Sequence, residues 1–401
     1  MSVASLILPQ FSTFDPPVAG EGSLDPMGVA AISDRLADVL VPGLRARMQR
    51  VRFVTATAVG ALACETLADE LPIDGVSTAA ICFEWLVVEG FVRKLQAQQL
   101  PFGVPGSQKA RAVVTSGQRL SAATYLKGPA VFGFNGVYKP FAIDADVVRS
   151  GLEPGPRCPH LVRAWESEQG FSGFADAVRG SDGARLRDNV REEVRAALRR
   201  GRCTTSPGSW LFGRLAAALR PDRAGPRERA ALRAFLTDPS HETRAELAGL
   251  VGELGTANMT EAQTLDDIRP RCSTALGRIV DAVIAYELFA ALADAAFRTL
   301  CAVSSGMGTQ PLTPEHVHGH EIIERCAREL PDSFRLAAER IQAIGLDDSM
   351  EVRLGEFAIP RSPGELVEVV MAHHKAVQAA KPPNGKRPWF EPLRHYSSAI
   401  T

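Results

Sequence analysis

The sequence is poor in lysine, in paired cysteine, in aromatic residues and in long uncharged apolar runs. Only seven of its 45 basic residues are lysine, so 38 are arginine. Seven cysteines, Cys64, Cys82, Cys158, Cys203, Cys272, Cys301 and Cys326, stand far apart, odd in number and with no CxxC pair. That argues against a disulfide framework and against a structural zinc site, and favours a reducing compartment. The first residues, MSVASLILPQF, lack a basic n-region and hold too short an apolar run for a signal peptide, so the expected location is the cytoplasm, with no membrane partner. No GxxxxGK[ST], strand-to-helix GxGxxG, GxSxG or kinase motif occurs, and no repeat of fixed period. No carboxylate pair and no Cys/His pair has a spacing that specifies catalysis, so a non-enzymatic role leads and no cofactor is expected.

What is present is an ordinary globular composition, 45% hydrophobic and 23% charged, with a formal net charge of −1. A chain of 401 residues suffices for two or three domains, each with its own core. The stretch from Ser273 to Val303 is the organising element. Ser273 is an N-cap, no proline follows and no glycine after Gly277, and the composition favours helix. Glu287, Asp294 and Arg298 fall on one face, while Arg278 and Asp281 fall roughly opposite. A helix that buries different sides in its two halves passes through a bundle rather than along its edge. Ile284, Leu288, Leu292 and Phe297 are its expected core positions. Its charges exclude a membrane span.

The arginines cluster. Arg45, Arg47, Arg50 and Arg52 lie within eight residues at the corner between the first two expected helices. Residues 183–202 place Leu186, Val190, Val194 and Leu198 every four residues, an amphipathic helix. Its polar side carries Arg185, Arg187, Arg191, Arg195, Arg199 and Arg200, with Arg202 just beyond. From Arg185 to Arg233 there are 13 arginines against five acids. Free guanidinium groups in such numbers attract phosphates. The ordinary alternative is a solvated face on which Glu192 and Glu193 pair with Arg195 or Arg199. The Ser/Thr/Gly loop CTTSPGSW (203–210) leads into a helix near Trp210, an arrangement able to hold a phosphate on backbone amides and hydroxyls.

Between these clusters the pattern changes character. TYLKGPAVFGFNGVYKPFAIDADV (124–147) sets a short β-leaning run and short helices between tight turns. It resembles the winged-helix segment of uncharacterised bacterial proteins of the antiphage-defence kind. The resemblance implies a small α+β element used for DNA or for protein contact. Lys127 and Lys139 are its only basic residues, and Lys139 is taken as a candidate contact.

Thr313-Pro314 opens a helix on which His316 and His320 stand one turn apart, with Glu324 a turn further. Two histidines and a carboxylate so placed can bind a transition metal, although the order is not HExxH. MEVRLGEFAI (350–359) alternates in the manner of a strand. The tail combines His373, His374, Lys375, Lys381, Lys386 and Arg387 with Trp389, Phe390 and Tyr396, a strap able to pack on the body or stack on bases.

Together these observations predict a mainly α protein of helical bundles with a small winged-helix-like α+β middle. The expected segments are 1–104, an N-terminal helical domain; 105–182, winged-helix-like; 183–312, the arginine-rich helices and long central helix; and 313–401, the C-terminal helices and strap. The leading functional expectation is a nucleic-acid-binding or scaffold subunit of a bacterial multi-protein system, in the setting of antiphage defence. The alternatives are a metal-dependent enzyme using His316, His320 and Glu324, and a protein–protein adaptor.

Overall fold

The computed structural model of the chain describes residues 25–45, 47–95, 103–126, 129, 133–255, 259–307, 310–346 and 349–381. The fold is mainly helical, as expected. Among the described residues there is no strand, only the isolated bridges Ser121 with Arg202 and Val148 with Pro154. The chain divides into two compact units: Val41–Glu253, and the residues up to Leu40 together with those from Leu254 onward. The boundaries drawn from the sequence at 104, 182 and 312 mark changes of local pattern and do not coincide with this division.

Helix α1 (Ala30–Leu40) belongs to the discontinuous unit. The unit Val41–Glu253 then supplies α2 (Phe53–Cys64), α3 (Ala79–Lys94), α4 (Ser107–Thr115), α5 (Phe134–Asp144), α6 (Cys158–Gln169), α7 (Asp182–Arg200), α8 (Trp210–Ala218), α9 (Pro226–Leu236) and α10 (Glu242–Leu254). Its axis is α2, whose twelve residues FVTATAVGALAC are all buried. The helix carries no charge, and its small residues let neighbours approach. A Cβ added at Gly60 would fall 2.5 Å from the Phe83 ring on α3. At its start, the ring of Phe53 meets those of Phe91, Phe134 and Tyr138 edge-on, at 6.3, 4.9 and 5.5 Å between centroids.

The second unit adds α11 (Glu261–Ile268), α12 (Thr274–Ser305), α13 (Glu321–Ala343), α14 (Ser349–Leu354) and α15 (Pro363–Ala379). Ser273 caps α12, its hydroxyl accepting from the Leu276 amide at 3.2 Å. Leu292 and Phe297 are buried and Leu288 is partly so, whereas Ile284 is 38% exposed. The polar faces of α12 are closed locally: Asp281 pairs with Arg269, and Asp294 with Arg298 one turn on. Helix α13 lies along α12, with Phe289 and Phe334 edge-on at 5.6 Å. The N-terminal piece is tied into this unit by polar contacts. The Asp25 carboxylate accepts from the amides of Val29 (3.0 Å) and Ala30 (2.9 Å), Tyr286 donates to the Val29 carbonyl, and His373 and His374 meet the carbonyls of Met27 and Pro26, each at 2.8 Å.

Several sequence expectations are corrected here. Residues 350–359 form α14 and a 3-10 turn, not a strand. Met350, Leu354 and Phe357 are buried at helical spacing while Val352 stands 84% exposed. His316 and His320 do not share a helix. Residues Pro314–Val317 make a 3-10 turn, Gly319 adopts φ +72°, and α13 begins only at Glu321. The winged-helix-like segment 105–182 holds the helices α4, α5 and α6 and, among its described residues, no strand to make a wing; Phe134, Val137, Tyr138 and Phe141 of α5 lie in the core. Lys127, Gly128 and residues 130–132 lie outside the described residues, as does the strap with Lys386, Arg387, Trp389, Phe390 and Tyr396. Its neighbours His373 and His374 are buried, and so are not available for stacking. No described helix is long and apolar enough to cross a membrane.

Glu84 on α3 shows why α5 sits where it does. Its buried carboxylate accepts from the Tyr125 hydroxyl (2.9 Å) and the Asn135 amide (3.5 Å), at the N-terminus of α5. Gly133 is required, because a Cβ there would lie 2.1 Å from Glu84 Oε1. Burial pushes this carboxyl up from its ordinary 4.5 to about 7, against the opposing pull of those hydrogen bonds. A folded-state value above the unfolded one means that the group's contribution to stability is full below about 4.5 and is lost as pH rises through 7. We therefore expect the urea midpoint to fall between pH 5.5 and 8.5, and Glu84→Gln to remove most of that decline. A slope unaltered in the variant would show that the carboxyl does not titrate there.

Candidate anion-binding cleft

Helix α7 has the amphipathic build read from the sequence. Ser181 caps it, accepting from the Ala184 amide at 3.0 Å, and Leu186, Val190, Val194 and Leu198 are buried. Its arginines are mostly engaged, which corrects the expectation of a free cationic face. Arg187 is buried and donates to the carbonyls of Phe174 (3.2 Å) and Ala175 (2.8 Å) and to Glu65 (3.0 Å). Burial lowers the pKa of its guanidinium. Arg191 reaches the Ala63 carbonyl and Asp188; Arg195 is held between Glu70 at 2.7 Å and Glu192; Arg185 pairs with Asp182. Two of these acids, Glu65 and Glu70, follow α2 more than a hundred residues earlier, so no helical spacing signals them.

Arg199, Arg200 and Arg202, at the end of α7, are exposed. In the loop 203–210 two hydroxyls are already engaged. Thr205 and Thr204 donate to Glu193 at 2.8 and 3.4 Å, which puts the chain's own carboxylate against the loop hydroxyls. Of the first-corner residues, Arg45 and Arg47 are exposed, Arg45 donating to the Leu44 carbonyl at 2.9 Å. Lys139 is half-buried on α5. His316 turns Nδ1 to Thr313 (2.7 Å to the hydroxyl), and no three metal-binding side chains converge among the described residues.

The structure instead gathers arginines from both clusters around one cleft of about 510 Å³. Arg50 and Arg52 come from the first corner, Arg220 from the end of α8, and Arg229 and Arg233 from successive turns of α9. Val51, Pro221, Ala224, Leu232 and Leu236 form its apolar wall. Asp222 is the one carboxylate in the lining, and Arg220 holds it through Nε (3.0 Å) and Nη2 (2.8 Å).

Helix α9 is fixed at both ends, which sets the direction of Arg229 and Arg233. At the N-terminus, the Glu168 carboxylate accepts from the amides of Arg227 (2.6 Å) and Glu228 (3.2 Å). At the C-terminus, buried Arg244 donates to the carbonyls of Phe235 (3.0 Å) and Leu236 (3.1 Å) and pairs with Asp144. In the first turn, Glu228 takes Arg52 bidentately, Nε to Oε1 at 2.8 Å and Nη2 to Oε2 at 2.9 Å. Arg52 Nη2 also meets the Ala218 carbonyl at 2.9 Å, and its Nη1 is buried with no acceptor.

Both arginine clusters are visible in the sequence; their meeting is not. The available signal was local: Arg229 and Arg233 one turn apart, beside Leu232 and Leu236. Comparison of the chain with protein-family models, with curated proteins and with solved structures finds no match.

Because Arg52 and Glu228 are both almost wholly buried, removing one charge strands the other. Glu228→Gln is expected to lower unfolding stability by about 3–5 kcal/mol. Chemical denaturation measures it. A loss below about 1 kcal/mol would mean that the pair is hydrated and that α9 is held by its ends alone.

Proposed function

We propose that the protein is a non-enzymatic nucleic-acid-binding subunit whose contact surface is the cleft formed by Arg50, Arg52, Arg220, Arg229 and Arg233. The observation that carries the reading is the convergence, in one cleft, of five arginines from segments some 170 residues apart, against Asp222 in the lining and Glu228 behind Arg52. Guanidinium groups bind phosphate oxygens bidentately, and their surplus raises the local potential. Arg199, Arg200 and Arg202 offer a further exposed cationic edge for a strand. The setting in a bacterial multi-protein defence system rests on the resemblance of residues 124–147 alone. The alternative of an adaptor is favoured by one observation: Leu71, Ile73 and Val76 stand 91%, 71% and 68% exposed on a short loop.

Titrating labelled single-stranded RNA, single-stranded DNA and duplex DNA at several salt concentrations tests the reading. A single strand held through about three phosphates gives a log K against log salt slope near −2, from roughly −0.7 per phosphate. Arg229→Glu with Arg233→Glu is expected to weaken binding across all sequences and flatten that slope. If none of the three nucleic acids binds at low salt, the adaptor reading replaces this one.

A further inference from the structure

The cleft differs from a track for a continuous backbone in two respects. It is compact: about 510 Å³ lies within the roughly 300–1,000 Å³ of pockets that hold a single small ligand. It is mixed in character, because guanidinium groups share it with an apolar wall from Val51, Pro221, Ala224, Leu232 and Leu236.

From these features we propose that the cleft binds a phosphate monoester carried on an apolar or flat body, either a free nucleotide or the phosphorylated end of a strand. This rests on the reading of the cleft as the anion-binding surface. A monoester carries about −1.5 to −2 charges at neutral pH and three acceptor oxygens, so several arginines can bind it at once. An internal phosphodiester has one charge and two free oxygens, so it satisfies fewer of these donors. Arg229 and Arg233 stand one turn apart on a helix fixed at both ends; Arg229 Nη1 donates to the Ala224 carbonyl, which leaves its other N–H groups and those of Arg233 for an anion. The apolar wall suits a sugar and base, and the guanidinium planes can stack on the base.

The test uses the full chain and fluorescence anisotropy with four labelled probes: one short oligonucleotide carrying a 5′-phosphate, a 3′-phosphate or two hydroxyl ends, and a nucleoside 5′-monophosphate, the last used unlabelled as competitor as well. Binding of a phosphorylated end is expected to exceed that of the hydroxyl form by about 10-fold or more, as one or two charged hydrogen bonds imply. Arg229→Ala and Arg233→Ala, both exposed positions, should each remove most of that preference without unfolding the chain. If the nucleoside monophosphate binds and no strand does, the phosphate monoester site stands with a free nucleotide as its source, and the nucleic-acid reading falls. Equal binding of all three oligonucleotides with no competition by the monophosphate overturns this inference while leaving that reading intact. Failure of every probe to bind overturns both.

Discussion

The unit Val41–Glu253 depends on one buried ion pair. Arg52 stands where α2 begins and Glu228 lies in the first turn of α9, 176 residues on. A buried pair gains little over a hydrophobic substitute, because desolvation offsets most of the attraction. What it supplies is registry. The two parallel hydrogen bonds, and the third from Arg52 to the Ala218 carbonyl, fix the ends of α8 and α9 against the start of α2. With Glu168 and Arg244 at its termini, α9 has no freedom to roll, so Arg229 and Arg233 are presented to one cleft.

The same reasoning separates structural arginines from those available to a ligand. On α7, Arg187, Arg191 and Arg195 each have a carboxylate and, for the first two, backbone carbonyls as well. These contacts dock the helix against the end of α2 and leave little field to attract a phosphate. Around the cleft, Asp222 is the only acid in the lining and is engaged by Arg220. An arginine-rich sequence is therefore consistent with either role, and the partner of each guanidinium decides between them.

Elements whose signal is local were legible in the sequence. Ser273 and the uninterrupted helix formers after it predict α12, and the four-residue spacing of Leu186, Val190, Val194 and Leu198 predicts α7. What depended on distant partners was not legible. Glu65 and Glu70 neutralise α7 from another segment, and the cleft joins Arg50 to Arg233 across most of a unit. Residues 350–359 misled because Met350, Val352 and Leu354 fit an alternating pattern, while Met350, Leu354 and Phe357 fit a helical one equally well; packing chose the second. His316 and His320 misled because a spacing of four means proximity only within an unbroken helix, and Gly319 breaks it. The central helix of the larger unit, α2, is less legible than α12 because it is short and lacks an amphipathic pattern, which is what full burial produces.

The central claim is that Arg229 and Arg233 of the cleft are open to a ligand and that Arg187, Arg191 and Arg195 of α7 are not. Brief modification of the native protein with phenylglyoxal, mapped residue by residue by mass spectrometry, tests it most directly. Arg229 and Arg233 should react quickly and be protected by a nucleoside monophosphate, whereas Arg187, Arg191 and Arg195 should react slowly with or without it. Equal reactivity of the two groups, or no protection at Arg229 and Arg233, would contradict the account.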